Sequence, residues 1–576
     1  MKLSSLSLAA VLAAAAQAAC APSPGTLSTP PPASAAGSAP GELPRTHAPR
    51  PTSPEIRTAD LTTRLYLVAD DSMQGRRVGE PGNVMATDYI AAEFRRLGLE
   101  PAGENGTYFQ TVPIVRRELD PASSLQVDGT VLRPWTDFVL RDQGPGARSL
   151  DGVQAVFAGT WGDEGSMIPA AGAAGKLVVV GVRAGAGGRV PWNIRRAVAP
   201  RYPAAAGIAV AALEVVPEET VESIREPGLQ LAAGAGAPTP SFLWISRATA
   251  RALLGAPLEG MQPGSVGRTV RGTVRYVQTP APAPARNVIA ILRGSDPAAR
   301  GQYVAIGAHN DHEGVAAEAV DHDSLRAYNR VMRPQGANDE PGNPTAAQWS
   351  QIRSILASLR ATRPARRDSI YNGADDDGSG TVVLLEIAEA LATSPARPRR
   401  SILFVSHTGE EAGLLGSQWF TDHPTVPRDS IVAALNMDMV GRGRPEDIAG
   451  GGPGYIQLIG SRRLSTELGD LIDSLNRARP DPMRIDYSFD APRHPLNRYC
   501  RSDHYMYARY GIPITYLSRG YHIDYHMVSD EPQYIDYEGM TTVAGFVRDI
   551  LVAVANRDRR LVVDKPKPDP NAPCQQ

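Results

Sequence analysis

The sequence predicts an α/β protein, a mostly parallel mixed sheet flanked by helices, with a β-rich domain inserted into it. Three observations carry that expectation. From Asn287 to about Ala555, short apolar runs rich in β-branched residues alternate with helical patterns, as in sheets whose strands are buried on both faces and joined by crossover helices. From about Ser124 to Gln278 the texture changes to short strands, many glycines and prolines, and no histidine. At 576 residues the chain is also too long for one core, so two or three domains are expected.

In chain order, Met1–Ala19 has one lysine, an Ala/Leu/Val run and Ala16-Gln17-Ala18, which reads as a secretory leader with a small-residue cleavage site. Export is therefore expected, to a periplasmic, outer-membrane or extracellular location. Cys20 follows directly; bacterial lipoproteins are cleaved before such a cysteine and lipidated on it, but Gln17 stands where leucine is usual. A lipid anchor at Cys20 and a freely released chain both stay open. Residues 20–58 are rich in Pro, Ser and Ala and read as a flexible tether. Beyond residue 19 no apolar run is long enough to span a bilayer. The formal charge of −2 gives no reason to expect a nucleic-acid partner.

Order is expected from about Ala59. Asn83–Gly98 reads as a helix capped by Asn83 and ended by Gly98, with Met85, Tyr89, Ile90, Phe94 and Leu97 along one side. Inside the β-rich insert, 124–278, the stretch Gly175–Gly181 is the clearest strand. Gly175-Lys176 is not a phosphate loop, because Leu177 stands where Ser or Thr is needed. After the Pro-rich run Thr279–Ala285, strands are expected at Asn287–Leu292, Tyr303–Ala308, Ser401–Ser406, Ile431–Met437 and Pro513–Leu517, and a helix at Gly380–Leu391. Residues 313–371 interrupt this alternation and contain an amphipathic helix around Trp349, Ile352, Leu356 and Leu359. Such an excursion is either a lid or a remote surface insertion. Residues 561–576 are charged and Pro-rich and read as a disordered tail. Cys500 and Cys574 could pair in an oxidising compartment, although two unrelated thiols is the preferred reading.

Nine of the ten histidines follow residue 308, and several sit beside acids where strands end. His309-Asn310-Asp311 follows one strand, Glu410-Glu411 another, and Asn436-Met437-Asp438 ends a third. Asp375-Asp376-Asp377-Gly378 precedes a helix, and Tyr525-His526 comes before Ser529-Asp530. The carboxyl ends of strands in an open α/β sheet are where ligands bind. Five such segments in one α/β unit point to a site with imidazole and carboxylate ligands, which suits catalytic zinc. Two close metals need a carboxylate between them, and Asp376 is placed to bridge. The acidic run lacks the alternating spacing of a calcium loop, and no Gly-x-Ser-x-Gly elbow offers a serine nucleophile. Metal-free His/Asp pairs stay open for any single segment.

The order of these motifs is similar to that of the M28 family of zinc peptidases. The motifs are His309-x-Asp311, Gly373–Gly380, Gly409-Glu410-Glu411-x-Gly413-Leu414-Leu415-Gly416-Ser417, Asn436–Gly441, Ser502-Asp503-His504 and Asp524-Tyr525-His526. The match spans Ala59–Pro113 and Arg286–Ala555, giving a peptidase domain over 59–123 and 279–560. The resemblance implies the phosphorylase/hydrolase-like fold of zinc-dependent exopeptidases and two Zn2+ per chain. His309 and Asp438 would hold one zinc, Glu411 and His526 the other, and Asp376 would bridge them. Glu410 would be general base and acid, and Asp311 would orient His309 from behind. Tyr525 would donate to the oxyanion, while Arg501 and Asp503 resemble the edge of a substrate pocket. The insert 124–278 resembles a protease-associated domain. The implied function is an aminopeptidase acting on peptides or small proteins. A carboxypeptidase or dipeptidase of the same architecture, and a receptor-like binding protein without catalysis, are the alternatives. The long 313–371 segment departs from the family pattern, and His312 and His322 near it are expected to be surface histidines rather than extra ligands.

Overall fold

The computed structural model describes residues 44–142, 147–163, 165, 167–183, 194–232, 239–339, 342–572 and 574–576. The leader, Cys20 and the first part of the tether lie outside them. The chain divides into two compact units, Val115–Pro280 and a second formed by Ala281–Gln576 with the described part of Pro31–Ile114.

The unit Val115–Pro280 is a mixed eight-stranded sheet with a separate three-stranded sheet. Its centre is four parallel strands, Val153–Trp161, Leu177–Val182, Gly207–Ala211 and Ser241–Ile245. Their side chains alternate between two apolar clusters, Val179 and Ala209 on one side and Val178, Val180, Ile208 and Val210 on the other. A strand covered on both faces gains from apolar residues at every position, which is why the run Leu177–Val180 has no polar member.

The second unit is built on a nine-stranded sheet. Its strands are β1 (Glu100–Pro101), β2 (Phe109–Val112), β3 (Ala285–Leu292), β4 (Tyr303–His309), β5 (Ser401–His407), β6 (Ile431–Met437), β7 (Tyr455–Ile459), β8 (Arg484–Asp486) and β9 (Ile514–Ser518). The order is β1-β3-β5-β4-β6-β9-β7-β8, with β2 also paired to β3. Strands β5, β4, β6 and β9 run parallel, so their carboxyl ends share one edge. The helices used below are α1 (Thr58–Val68), α2 (Pro81–Arg96), α3 (His322–Met332), α4 (Ala346–Thr362), α5 (Gly380–Thr393) and α6 (Leu415–Asp422). Successive residues again divide between two cores: Val304, Ile306, Ile402 and Phe404 face one, and Tyr303, Ala305, Leu403 and Val405 the other.

Four readings of the sequence need correction. Helix α2 starts at Pro81 with Glu80 as its N-cap residue, so Asn83 does not cap it, and Met85 is exposed. The end of the tether is held: Thr52 Oγ1 donates to Glu389 Oε2 at 2.7 Å, and the Tyr66 hydroxyl donates to the Pro44 carbonyl at 2.5 Å. The C-terminal segment is docked rather than free. Cys500 and Cys574 form a disulfide, the Gln576 side chain accepts from Tyr499 N–H at 3.2 Å, and Arg493 N–H donates to the Gln576 carbonyl at 2.7 Å. Composition misled because a few specific anchors, not apolar content, hold this tail.

The disulfide closes a sequence separation of 74 residues, and in the chain-entropy description such a loop contributes on the order of 4 kcal/mol. Cys574→Ser is expected to lower the denaturant midpoint of unfolding and to open residues 561–576 to limited proteolysis. An unchanged midpoint and digestion pattern would contradict the anchoring.

Candidate metal centre

The parallel strands deliver their ends to one rim. His309 is the last residue of β4, Glu410 and Glu411 follow β5, and Asp438 follows β6. Strand β4 lies between β5 and β6, so the chain leaves it in opposite directions, and the crevice at such a reversal is where open α/β sheets bind ligands.

Asp376 is the meeting point. Its Oδ1 lies 3.1 Å from His309 Nε2, and its Oδ2 lies 3.1 Å from His526 Nε2. His526 Nε2 is also 3.1 Å from Glu411 Oε2. Three overlapping groups of potential ligand atoms form here: His309, Asp376 and Asp438; His312, Asp376 and Glu411; Glu313, Glu411 and His526. Within each group the atoms lie within 4.8 Å of one another. The facing nitrogens, His309 Nε2 and His526 Nε2, are buried and make no hydrogen bond among the described residues. Ring nitrogens and carboxylate oxygens that converge without hydrogen-bonding are arranged as ligands around a shared cation, and a donor set of imidazole and carboxylate suits zinc. The residues present therefore fit the metal.

The neighbouring acids have a different task. Asp377 accepts His309 N–H at 3.1 Å, Gly380 N–H at 2.9 Å and Met439 N–H at 3.2 Å. Asp375 accepts Gly441 N–H at 2.6 Å, and Asp530 accepts the N–H of Asp375 and of Asp376, the latter at 3.1 Å. Of three consecutive aspartates, the middle one faces the site and its neighbours bind the frame. The peptide between Asp376 and Asp377 is cis.

Asp311 lies beneath both histidine and glutamates. Its backbone carbonyl is 3.1 Å from His309 Nδ1, while its carboxylate accepts Glu410 N–H at 3.1 Å and Glu411 N–H at 3.4 Å. The glutamate loop is also pinned from Asn287, which accepts Thr408 N–H at 3.0 Å and donates to the Gly416 carbonyl at 2.9 Å. A Cβ on Gly416 would sit 2.1 Å from the Thr408 carbonyl oxygen, so glycine is required there.

Electrostatics follow from burial. Burial pushes the Asp376 carboxyl up, but the imidazoles of His309 and His526 outweigh it and hold it well below the usual carboxylate range. Burial raises Asp311 and Asp438 to about 7. Glu410 is pushed well above its ordinary value, by burial first and then by Glu411, Asp438 and Asp503, against the opposing pull of His309.

At the rim, Arg501 is exposed and its Nη2 lies 3.2 Å from the Tyr525 hydroxyl. Tyr525 stacks on His526 with ring centroids 3.9 Å apart. Asp503 is fully buried at the start of the short helix His504–Ala508, its charge raises the proton affinity of Glu410 and Asp311, and Asn436 Nδ2 donates to Ser502 Oγ at 2.9 Å. His312 and His322 are not surface residues. Both are buried; His312 Nδ1 is 2.8 Å from Glu411 Oε1, and His322 Nε2 is 2.9 Å from Glu531 Oε2.

Two supporting residues carried no signal in the sequence. Arg76, buried, donates to the carbonyls of Asn310, Val68, Asn372 and Gly373 at 2.6–3.1 Å, tying the end of β4 to the start of the aspartate run. Asn83 donates to Asn310 Oδ1 at 2.8 Å and accepts from Thr408 Oγ1 at 3.1 Å. Asn83 looked like a helix cap, and an Arg-x-x-x-x-x-x-Asn spacing is too common to find either.

Residues 287–551 match the family model described as Peptidase family M28. Among curated proteins, leucine aminopeptidase 1 of Paracoccidioides brasiliensis (strain Pb03) is 30% identical over 234 residues, 37% of this chain and 57% of that protein. Aminopeptidase NAALADL1 of Mus musculus is 46% identical over 78 residues, 13% of this chain and 10% of that protein. The chain thus spans little more than half the length, or much less, of these curated relatives. Among solved structures, the aminopeptidase from Aneurinibacillus sp. strain AM-1 aligns over 89% of this chain and 97% of its own, at 16% identity and a TM-score of 0.44. BSAP, a zinc aminopeptidase from Bacillus subtilis, aligns over 88% and 98%, at 15% identity and a TM-score of 0.42.

A ligand that binds the folded state alone stabilises it by mass action, by about 2.7 kcal/mol per site at a hundred times its dissociation constant. Zinc added to chelator-treated protein is therefore expected to raise the thermal midpoint, and His309→Ala to shrink that increment. No zinc-dependent shift would contradict the metal fit.

Proposed function

We propose that this chain is an exported di-zinc metallopeptidase, an aminopeptidase that releases N-terminal residues from peptides. The observation that carries the reading is the Asp376 carboxylate, with one oxygen 3.1 Å from His309 and the other 3.1 Å from His526. In this reading His309 and Asp438 would hold one zinc and Glu411 and His526 the other, with Asp376 the carboxylate shared by both sets. The leader 1–19 is the basis for export, and the insert 124–278, within the unit Val115–Pro280, is read as a protease-associated domain. The two curated relatives named above are aminopeptidases, which favours an N-terminal over a C-terminal cut.

Bound there, zinc would supply Lewis acidity toward the scissile carbonyl and toward a water. The chain's own groups do the rest. Glu410 is half-buried at the rim, and its raised proton affinity suits it to take a proton from the attacking water and return it to the leaving amine. The Tyr525 hydroxyl is oriented by Arg501 Nη2 and is positioned to donate to the developing oxyanion. Asp311 holds the N–H groups of Glu410 and Glu411, so base and ligand keep a fixed spacing.

Glu410→Gln keeps shape and removes the base. It is expected to retain two zinc ions per chain while kcat falls about 10²–10⁴-fold on an aminoacyl chromogenic substrate. Retained activity in the zinc-loaded variant would overturn the assignment. Peptides blocked at the N-terminus are expected to resist cleavage while C-terminally amidated ones are cut; the reverse pattern would make the enzyme a carboxypeptidase.

A further inference from the structure

The 313–371 insertion leaves the chain four residues after the strand that delivers His309, and its described residues do not stand off as a separate flap. It begins with a two-stranded hairpin, Gly314–Asp321 with Arg367–Tyr371, between which α3 and α4 are carried. Helix α3 lays one face against the loop 521–534, the segment that bears Tyr525 and His526. Arg326 Nη1 donates to Asp524 Oδ2 at 2.8 Å, and Asn329 Nδ2 lies 3.5 Å from Asp524 Oδ1. The Arg326 guanidinium also lies 3.4 Å from the centre of the Tyr534 ring. Further along, Ala337 N–H donates to the Tyr521 carbonyl at 3.0 Å. Gly336 permits that approach, since a Cβ there would sit 2.1 Å from the same oxygen. At the insertion's root, Glu313 Oε1 is 3.5 Å from His526 Nδ1.

Asp524 is the fulcrum of this contact. It is fully buried two residues before His526, and it also accepts Arg442 Nη1 and Ser529 Oγ, each at 2.7 Å. Its carboxylate thus joins an insertion helix to the sheet-edge loop. His526 itself has φ of 55°, in the left-handed region that is uncommon for non-glycine residues.

We infer that the 313–371 insertion is a fixed positioning element for His526, and that through the Arg326–Asp524 contact it sets how tightly the second metal, the one held by Glu411 and His526, is bound. This rests on the di-zinc reading above. Groups that orient a histidine ligand typically change metal affinity 10–100-fold when removed, and Arg326 acts on the ligand's backbone anchor rather than on the metal.

The test measures zinc per chain and both dissociation constants, by competition with a chromophoric chelator, for the full chain. Wild type is measured first; if it binds fewer than two zinc ions, the functional reading fails before the insertion is tested. Arg326→Met is expected to leave the tighter zinc unchanged and to weaken the second zinc 10–100-fold, while the thermal midpoint of the metal-free protein falls because a buried ion pair is broken. Arg326→Lys is expected to recover part of that loss. Arg360→Ala breaks an ion pair internal to the insertion, with Asp321 at 2.7 Å, and is expected to bind both zinc ions as wild type does. If Arg326→Met does not fold, Arg326→Gln, which keeps a donor beside Asp524 but removes the charge, carries the same measurement. Wild-type affinity for both zinc ions in the folded Arg326→Met or Arg326→Gln variant, or equal weakening of the two sites, would overturn the inference.

Discussion

The structure depends on one electrostatic constraint: a buried rim crowded with carboxylates has to be made tolerable. Ionised groups taken out of water carry a penalty of several kcal/mol each unless something of opposite sign or a set of hydrogen bonds meets them. This chain meets them in two ways, and the division separates frame from site. Asp311, Asp375, Asp377 and Asp530 are engaged by backbone N–H groups, which fixes the loops that follow β4, β5 and β6. Asp376 and Glu411 instead face imidazoles. Acids whose oxygens are spent on backbone amides cannot take a cation; acids facing unpartnered ring nitrogens can.

That division explains what was legible in the sequence. Apolar strands buried on both faces announce themselves, and the residues after them are the rim by topology, so His309, Glu410, Glu411 and Asp438 could be picked from strand ends alone. Which of Asp375, Asp376 and Asp377 turns outward depends on loop conformation, and the sequence offers Asp376 as the bridge with no local pattern that excludes its neighbours. Arg76 and Asn83 act through carbonyls and amides of loops far away in sequence, and no local pattern marks such a role. The tail was misread for a related reason: it is held by a disulfide and by scattered hydrogen bonds such as those of Val562, Asp564 and Gln576, which composition averages away.

Topology also bears on the two readings of residues 313–371. In a parallel sheet every connection leaves from a carboxyl end, so a segment inserted directly after β4 starts on the ligand-binding edge whatever its later course. A remote excursion would have required the insertion at an amino end, on the opposite edge. The choice between lid and remote ornament was therefore narrower than the sequence pattern made it look, and the contacts of α3 narrow it further. A lid that opens needs weak, solvent-exposed contacts on its inner face. Here that face carries His322 and Arg326, both buried, against Glu531 and Asp524.

The same contacts give the insertion a consequence beyond access. Within the loop 521–534, Tyr525 and His526 are both half-buried, and Asp524 between them and the core is held from two directions, by Arg442 of the sheet edge and Arg326 of the insertion. Removing one of two arginines from a buried aspartate leaves charge under-compensated, and the chain relieves it most readily by letting the loop move, since the sheet cannot. The loop's outer residue is a metal ligand in the functional reading, whereas His309 ends a central strand with neighbours on both sides. The two halves of the centre therefore differ in rigidity: one is fixed by the sheet, and the other is only as firm as the segment packed against it.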